Sequence, residues 1–267
     1  MKQRLSLRTD LRLVFAVVIS TLAALAPANG QQAPAAQQPT LSADASAAIA
    51  RMGKALQAGA FSFRSRTTRA YTGPNGELLH ISHAASIIVR RPDRLLVESV
   101  GDDGSRKMIY DGKNIIIYDV EGKKYVSIPA TGSIENALDI AQQRTGADFP
   151  LADLLTGNPE NSVLAGVTSG GQVGTSTIDG VRCNHFFFVQ APDLEMELWL
   201  EDNDKSLPRR VFITYRSLPG HPTFQADLSD WNLSAHPADA DFVFNPPAGV
   251  EQVTLKGNAG TPAGTQK

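Results

Sequence analysis

The sequence predicts a mainly β domain of α+β type, built as a strongly curved antiparallel sheet of about eleven strands. Three observations predict it. Short segments of alternating polarity follow one another with turn signals between them. Only two stretches carry apolar residues at helical spacing, one before the strands and one in their midst. Ile87-Ile88-Val89 and Ile115-Ile116-Ile117 are apolar on both faces, as strands covered on both sides are, whereas Leu194, Met196, Leu198 and Leu200 alternate with Glu195, Glu197, Trp199 and Glu201. A sheet whose concave side is plugged by helices produces both patterns.

Residues 41–58 carry Leu41, Ala45, Ala48, Ile49, Met52 and Leu56 on one stripe. They predict the N-terminal helix, with Ser42 as its cap and Gly59 beyond its end. Strands are expected at 61–71, 77–91, 94–100, 107–110, 114–120 and 124–128. Gly73-Pro74-Asn75-Gly76, Asp111-Gly112 and Glu121-Gly122 turn the chain between them. A helical insertion follows. Residues 133–144 hold Ile134, Leu138 and Ala141 at helical spacing before Gly146, and 149–155 form a second short helix with Pro150 in its first turn. Strands resume at 166–178, 183–190, 195–201, 208–216, 223–232 and 242–244, with Asp179-Gly180 as another hairpin turn.

The ends are of a different kind. Residues 1–28 read as a secretory signal peptide: Lys2, Arg4, Arg8 and Arg12, an uncharged apolar run over 13–25, then Ala26-Pro27-Ala28. That run falls short of the roughly 20 residues that span a bilayer. Cleavage is expected after Ala28, and with no cysteine at the cut the product is not a lipoprotein. Residues 29–40 are a polar low-complexity linker. The domain covers 41–250, and 251–267 form a disordered tail, of low complexity from about Lys256. Export to the periplasm is the expectation.

Removing residues 1–28 takes away four of the 25 Lys and Arg and one of the 27 Asp and Glu, moving the formal charge from -2 to -5. An acidic chain without a basic run does not suit nucleic acid. The single cysteine, Cys183, cannot form an internal disulfide. It lies in an apolar strand, where a buried structural thiol is expected.

Arg90-Arg91-Pro92-Asp93-Arg94-Leu95, followed by Tyr110-Asp111-Gly112-Lys113-Asn114 and Tyr118-Asp119, resembles a segment of the LolA/LolB-like superfamily of outer-membrane lipoprotein carriers. Further motifs are similar to those of an uncharacterised family of predicted periplasmic proteins. They are Phe149-Pro150-Leu151-Ala152-Asp153-Leu154-Leu155, Asp179-Gly180-Val181 with Cys183 and His185, Leu198-Trp199-Leu200-Glu201-Asp202, Leu207-Pro208-Arg209-Arg210, Leu228-Ser229-Asp230-Trp231-Asn232, and Phe242 and Phe244 before Pro246-Pro247-Ala248-Gly249. The resemblance spans about 41–250. It implies a half-open barrel of about eleven strands with helices closing its mouth. In the carriers such a hollow holds acyl chains of a lipoprotein in transit, and a related sensor domain binds misfolded outer-membrane proteins or lipid.

No catalytic constellation stands out. The five histidines are scattered, and His80 and His83 fall on opposite faces of one strand. Zinc needs three or four convergent ligands, and no metal or other cofactor is expected. Glu201-Asp202-Asn203-Asp204 lacks the glycine and closing glutamate of a calcium loop. Gly-x-Ser-x-Gly, phosphate-cradling and His-Glu-x-x-His patterns do not occur. Glu195 and Glu197 share a face about 7 Å apart, a spacing that acid–base work tolerates and that solvated face residues show as well. Arg64 and Arg66, also on one face, suit either an anionic head group or water.

The aromatic residues are the better clue. Phe61, Phe63, Phe186, Phe188, Trp199, Phe212 and Trp231 are the candidate lining of a ligand cavity, with Phe224 in the same wider set; plain core is the alternative. The leading expectation is a non-enzymatic periplasmic carrier or sensor of a lipid, an acylated protein or another apolar ligand, with a cavity of several hundred Å³. A structural or interaction module of the envelope is the second reading, with an envelope protein as partner, and an unrecognised hydrolase the third.

Overall fold

The structure, a computed structural model, describes residues 40–255. The signal peptide, nearly all of the linker and most of the tail lie outside the described residues. Helix α1 (Ala43–Leu56) is capped by Ser42, whose hydroxyl accepts from the Ala45 amide, and its buried stripe is Ala45, Ala48, Ile49, Met52 and Leu56. Six strands follow: β1 (Ala60–Thr72), β2 (Leu78–Arg90), β3 (Arg94–Gly101), β4 (Gly104–Tyr110), β5 (Asn114–Asp119) and β6 (Lys124–Pro129). Helices α2 (Ile134–Thr145) and α3 (Pro159–Leu164) form the central excursion. Then come β7 (Val167–Ile178), β8 (Val181–Gln190), β9 (Leu194–Glu201), β10 (Pro208–Tyr215), β11 (Thr223–Asn232) and β12 (Glu251–Gln252).

All twelve strands form one open, curved sheet in the order β12-β6-β5-β4-β3-β2-β1-β11-β10-β9-β8-β7. Every pairing is antiparallel except that of β12 with β6. β1 sits mid-sheet. On one side lies the meander β2–β6; on the other β11 returns beside β1 and the chain order runs backward to β7. The turns follow local chemistry. Asp179 and Gly180 take φ of 46° and 79° between β7 and β8, the left-handed pair that a two-residue hairpin demands. At Asp111-Gly112 the Asp111 carboxylate accepts from the amides of Lys113 and Asn114.

The core lies on the concave side, where α1, α2 and α3 contribute Ile49, Met52, Leu56, Ile134, Leu138 and Val163 to the same buried cluster as Phe61, Phe186, Phe188 and Leu198. The doubly apolar strands are covered on the convex side too. Phe242 is buried against Leu96 and Ile109, with Ile88, Ile116 and Phe244 around it. Arg90 fixes this outer strap, donating to the carbonyl of Pro237 and to Asp239 while lying over the Phe242 ring.

Several expectations are corrected. The expected strands included 242–244, but Asp239–Phe242 is a turn of 3₁₀ helix. Its job is to drop Phe242 onto an apolar outer rung, and nearby Pro237, Pro246 and Pro247 have no amide for a ladder. The expected short helix at 149–155 contracts to the 3₁₀ turn Ala152–Leu154. α3 was not expected, although Asn158 caps it and Pro159 opens it, the usual start signal. Residues 251–255, assigned to the tail, include β12 and Leu255, which packs on the core.

Candidate functional site

The inner face of β1–β6 is organised in rungs by the antiparallel register. One rung is Phe61, Val89, Leu95, Tyr110, Ile115 and Ile128, all buried. The next is Phe63, Ile87, Val97, Met108, Ile117 and Val126; the last four are only half-buried. The third is Ser65, Ala85, Ser99, Arg106 and Asp119, and beyond it Thr67 pairs with His83. Two residues along each strand is one step of about 7 Å. Polarity therefore rises from a greasy closed end to a charged open end in three such steps.

The closed end is sealed by α2. The Tyr110 hydroxyl donates to the Gly132 carbonyl at 2.8 Å, and the Ile134 amide donates to the Pro92 carbonyl at 2.9 Å. From α2 the chain turns at Gly146, whose left-handed φ of 72° ends the helix, and runs across the hollow as residues 147–155. Both ends of this strap are pinned. At one, Asp148 accepts from Arg69 at 2.6 Å and from the Tyr215 hydroxyl at 3.0 Å. At the other, Arg91 donates to the Leu155 carbonyl at 2.6 Å and the Leu56 carbonyl at 3.0 Å, tying strap, α1 and the β2–β3 turn together. Burial pushes the Arg91 guanidinium down to about 10, so it stays charged near neutrality. Burial, then the neighbouring Asp148, drives the Tyr215 phenol up.

Under the strap lies a cavity of about 500 Å³. Its floor is Ala85, Ile87, Val97, Met108, Ile117 and Val126; its roof is Leu138 and the strap residues Phe149, Pro150, Leu151, Ala152 and Leu155. Phe224 and Leu255 close the sides, and Ser65, Thr67, Ser99, His83, Arg106 and Asp148 stand at the polar margin. On the far side of the strap a smaller hollow of about 280 Å³ faces Leu194, Met196, Val211 and Ile213. A recess of about 580 Å³ at the β9–β10 turn is of another kind, lined by Glu201, Asn203, Asp204, Lys205 and Arg209 among others.

None of the seven aromatic residues expected to line a cavity lines the apolar one. Phe63 stacks on both Phe61 and Trp231, its centroid 4.3 Å from that of Trp231, Phe61 lies tilted to Trp231, and Phe186 and Phe188 are buried in the core. Trp231 also donates its indole N–H to the Pro208 carbonyl and touches the polar recess. Trp199 and Phe212 are half-buried and alternate with inner residues Leu198, Leu200, Val211 and Ile213, so they face outward. There His185 stacks on Trp199 at 4.0 Å and bonds Glu197 at 2.6 Å. Of the wider aromatic set only Phe224 reaches the cavity. Five of the six floor residues, all but Ala85, carried a usable signal, since each sits two positions from a residue of the all-buried rung; what the sequence does not show is that the second rung stays open.

The charged candidates are placed as well. Glu195 pairs with Arg216, and Arg64 and Arg66 lie exposed beside Asp230 and Asp179 on the convex side. Cys183 is buried, which pushes its thiol up. Among the described residues no group of three or more His, Cys, Asp or Glu is placed to hold a metal ion. Nor is any helix there long and apolar enough to cross a membrane. At the cavity mouth Asp103 accepts from Arg106 at 3.0 Å and bonds His83 at 2.5 Å. The Arg106 hydrogen bond, with a smaller share from His83, holds the Asp103 carboxyl below its usual range.

Fold and hollow together define an open half-barrel protein whose concave face is closed by helices and a pinned strap. Residues 45–256 match the family model described as "Predicted periplasmic protein (DUF2092)", and the chain belongs to that family. The comparison with curated proteins gives no match. Solved structures similar to the chain include three that are covered over nearly their whole length. An uncharacterised conserved protein from Thermus thermophilus shares 10% identity, covering 79% of this chain and 98% of that one, TM-score 0.47. Lipoprotein LppX of Mycobacterium tuberculosis shares 19%, covering 73% and 99%, TM-score 0.45. A LolA superfamily protein from Nitrosomonas europaea shares 11%, covering 74% and 97%, TM-score 0.39.

Proposed function

We propose that the protein is a non-enzymatic periplasmic binding protein, a carrier or sensor of a lipid, an acylated protein or another apolar ligand. The observation that carries this reading is the cavity of about 500 Å³, floored by six apolar side chains from five adjacent strands. Ligand sites have this size and lining, and a floor of half-buried Val, Met and Ile left open is costly unless something covers it. The strap supports the reading as well, because its pins are few and polar and its release would uncover the floor.

Mass spectrometry of an organic extract of the mature protein, purified natively from a periplasm, tests this directly. A lipid or acyl species near one per chain is expected, and it should vanish in Met108→Trp, which fills the hollow. A clean extract, together with no uptake of a fluorescent acyl probe, would sink the reading.

A second reading, an interaction module of the envelope, is favoured by the outward Trp199 and Phe212, aromatic residues on a sheet face beyond the outer strap's own cluster. Cross-linking through that face would then capture an envelope protein, and Trp199→Ala would abolish the capture.

A further inference from the structure

Resting on the carrier reading above, we propose that the cavity takes a neutral acyl compound, joined through an ester or amide, in preference to a free fatty acid or an anionic phospholipid. The chain would lie across the second rung and its polar link would meet the hydroxyls of Ser65 and Thr67.

The rung order sets the direction. Ile87, Val97, Met108, Ile117 and Val126 form a continuous apolar row across five strands, about 20 Å wide at ordinary strand spacing. The next rung toward the mouth carries Ser65, Ala85 and Ser99 on the β1–β3 side and the charged Arg106 and Asp119 on the β4–β5 side. An amphiphile satisfies this gradient in one orientation, tail on the row and polar link one rung out.

The state of the charges selects the head. Every basic side chain at the mouth already faces a carboxylate. Arg106 gives one terminal nitrogen to the Asp103 carboxylate at 3.0 Å and the other to the Asp103 carbonyl at 3.2 Å. His83 also bonds Asp103, and Arg69 is held by Asp148. A carboxylate or phosphate head entering here would have to share these guanidinium groups with Asp103 or Asp148, or displace them, and in either case lie beside a carboxylate, a like-charge arrangement in a partly dry site. The hydroxyls offer the opposite. Ser65 is 4% exposed and faces the cavity, and among the described residues neither its Oγ nor the Thr67 Oγ1 has a protein hydrogen-bond partner. Each can donate to an ester or amide carbonyl without disturbing an ion pair.

Displacement of a bound fluorescent acyl probe from the mature protein tests this, with monopalmitoylglycerol, palmitate and palmitoyl lysophosphatidylglycerol as competitors at one ionic strength and pH 8. Monopalmitoylglycerol should compete at least about tenfold better than either anion, a difference of one decade in Kd. Asp103→Asn, which leaves Arg106 and His83 without their carboxylate, should shift the preference several-fold toward palmitate. Ser65→Ala with Thr67→Val should weaken monopalmitoylglycerol several-fold and leave palmitate unchanged. Palmitate competing as well as or better than monopalmitoylglycerol in the wild type overturns this inference alone. A folded protein that binds neither the probe nor any competitor overturns the carrier reading and this inference with it.

Discussion

The two wings of the sheet fill the concave side to different degrees, leaving about 500 Å³ over β2–β6 and about 280 Å³ beside β9 and β10. In the β8–β11 wing large inward side chains, Phe186, Phe188, Leu198, Leu200 and Leu228, are almost wholly buried, and α1 packs there with Ile49 and Met52. Gly53 lets α1 come close to α3: a Cβ at Gly53 would lie 2.7 Å from the Glu160 Cβ. In the β2–β6 wing the first rung is as dry, but the second holds mid-sized residues under a strap that stands off, and the space remains. Curvature of a sheet is therefore not enough to make a cavity. One forms where the covering element is a strap pinned at its ends, whose apolar side chains seat on the core without filling the space over the second rung.

The sharpest break of this contrast is Phe188→Ala. In a packed wing it should cost about 3–5 kcal/mol, read as a lower urea midpoint with unchanged slope; a loss under about 1 kcal/mol would mean that wing is loosely filled. Arg91→Ala comes next, at about 2–3 kcal/mol, because the Leu56 and Leu155 carbonyls lose a charged donor. Hydrogen exchange should show residues 147–155 deprotected while β8 and β9 are not; equal deprotection of both wings would refute the pin. Met108→Ala, on the open floor, should cost no more than about 1.5 kcal/mol, since it enlarges an existing space instead of creating a new void. Tyr215→Phe is smallest, about 1 kcal/mol near neutral pH for one hydrogen bond.

Tyr215 also has a pH signature. Its folded pKa lies above the unfolded value of 10.0. Above pH 10 the unfolded chain loses that proton first, so the native state binds more protons and stability falls as pH rises. Tyr215→Phe should flatten part of that fall in melts between about pH 9 and 11, and an unchanged slope would count against the burial of the phenol.

Much of the fold was legible because it is local. Ser42 and Ser133 cap helices through their own hydroxyls, Gly146 ends α2, and Asp179-Gly180 turns a hairpin within two residues. The doubly apolar triplets at 87–89 and 115–117 announced cover on both faces. The site was less legible. Aromatic residues mark where area is buried, and Phe61, Phe63 and Trp231 bury it against each other. The cavity is marked by the opposite property, medium side chains that the strap above them does not reach, and that is a relation between remote segments.

Short-range chemistry in the chain set the kind of element at almost every position, the succession of strands and turns, and the alternation of faces, because backbone preference, turn chemistry and side-chain period act over a few residues. The sequence also carried the motifs of the periplasmic family to which the chain belongs. Three features were settled by the assembled fold: that 239–242 turns to cover Ile88, that Trp199 and Phe212 face outward, and that the hollow lies between Met108 and Phe149. Each depends on how far one segment stands from another remote in sequence, a distance fixed by all the packing between them.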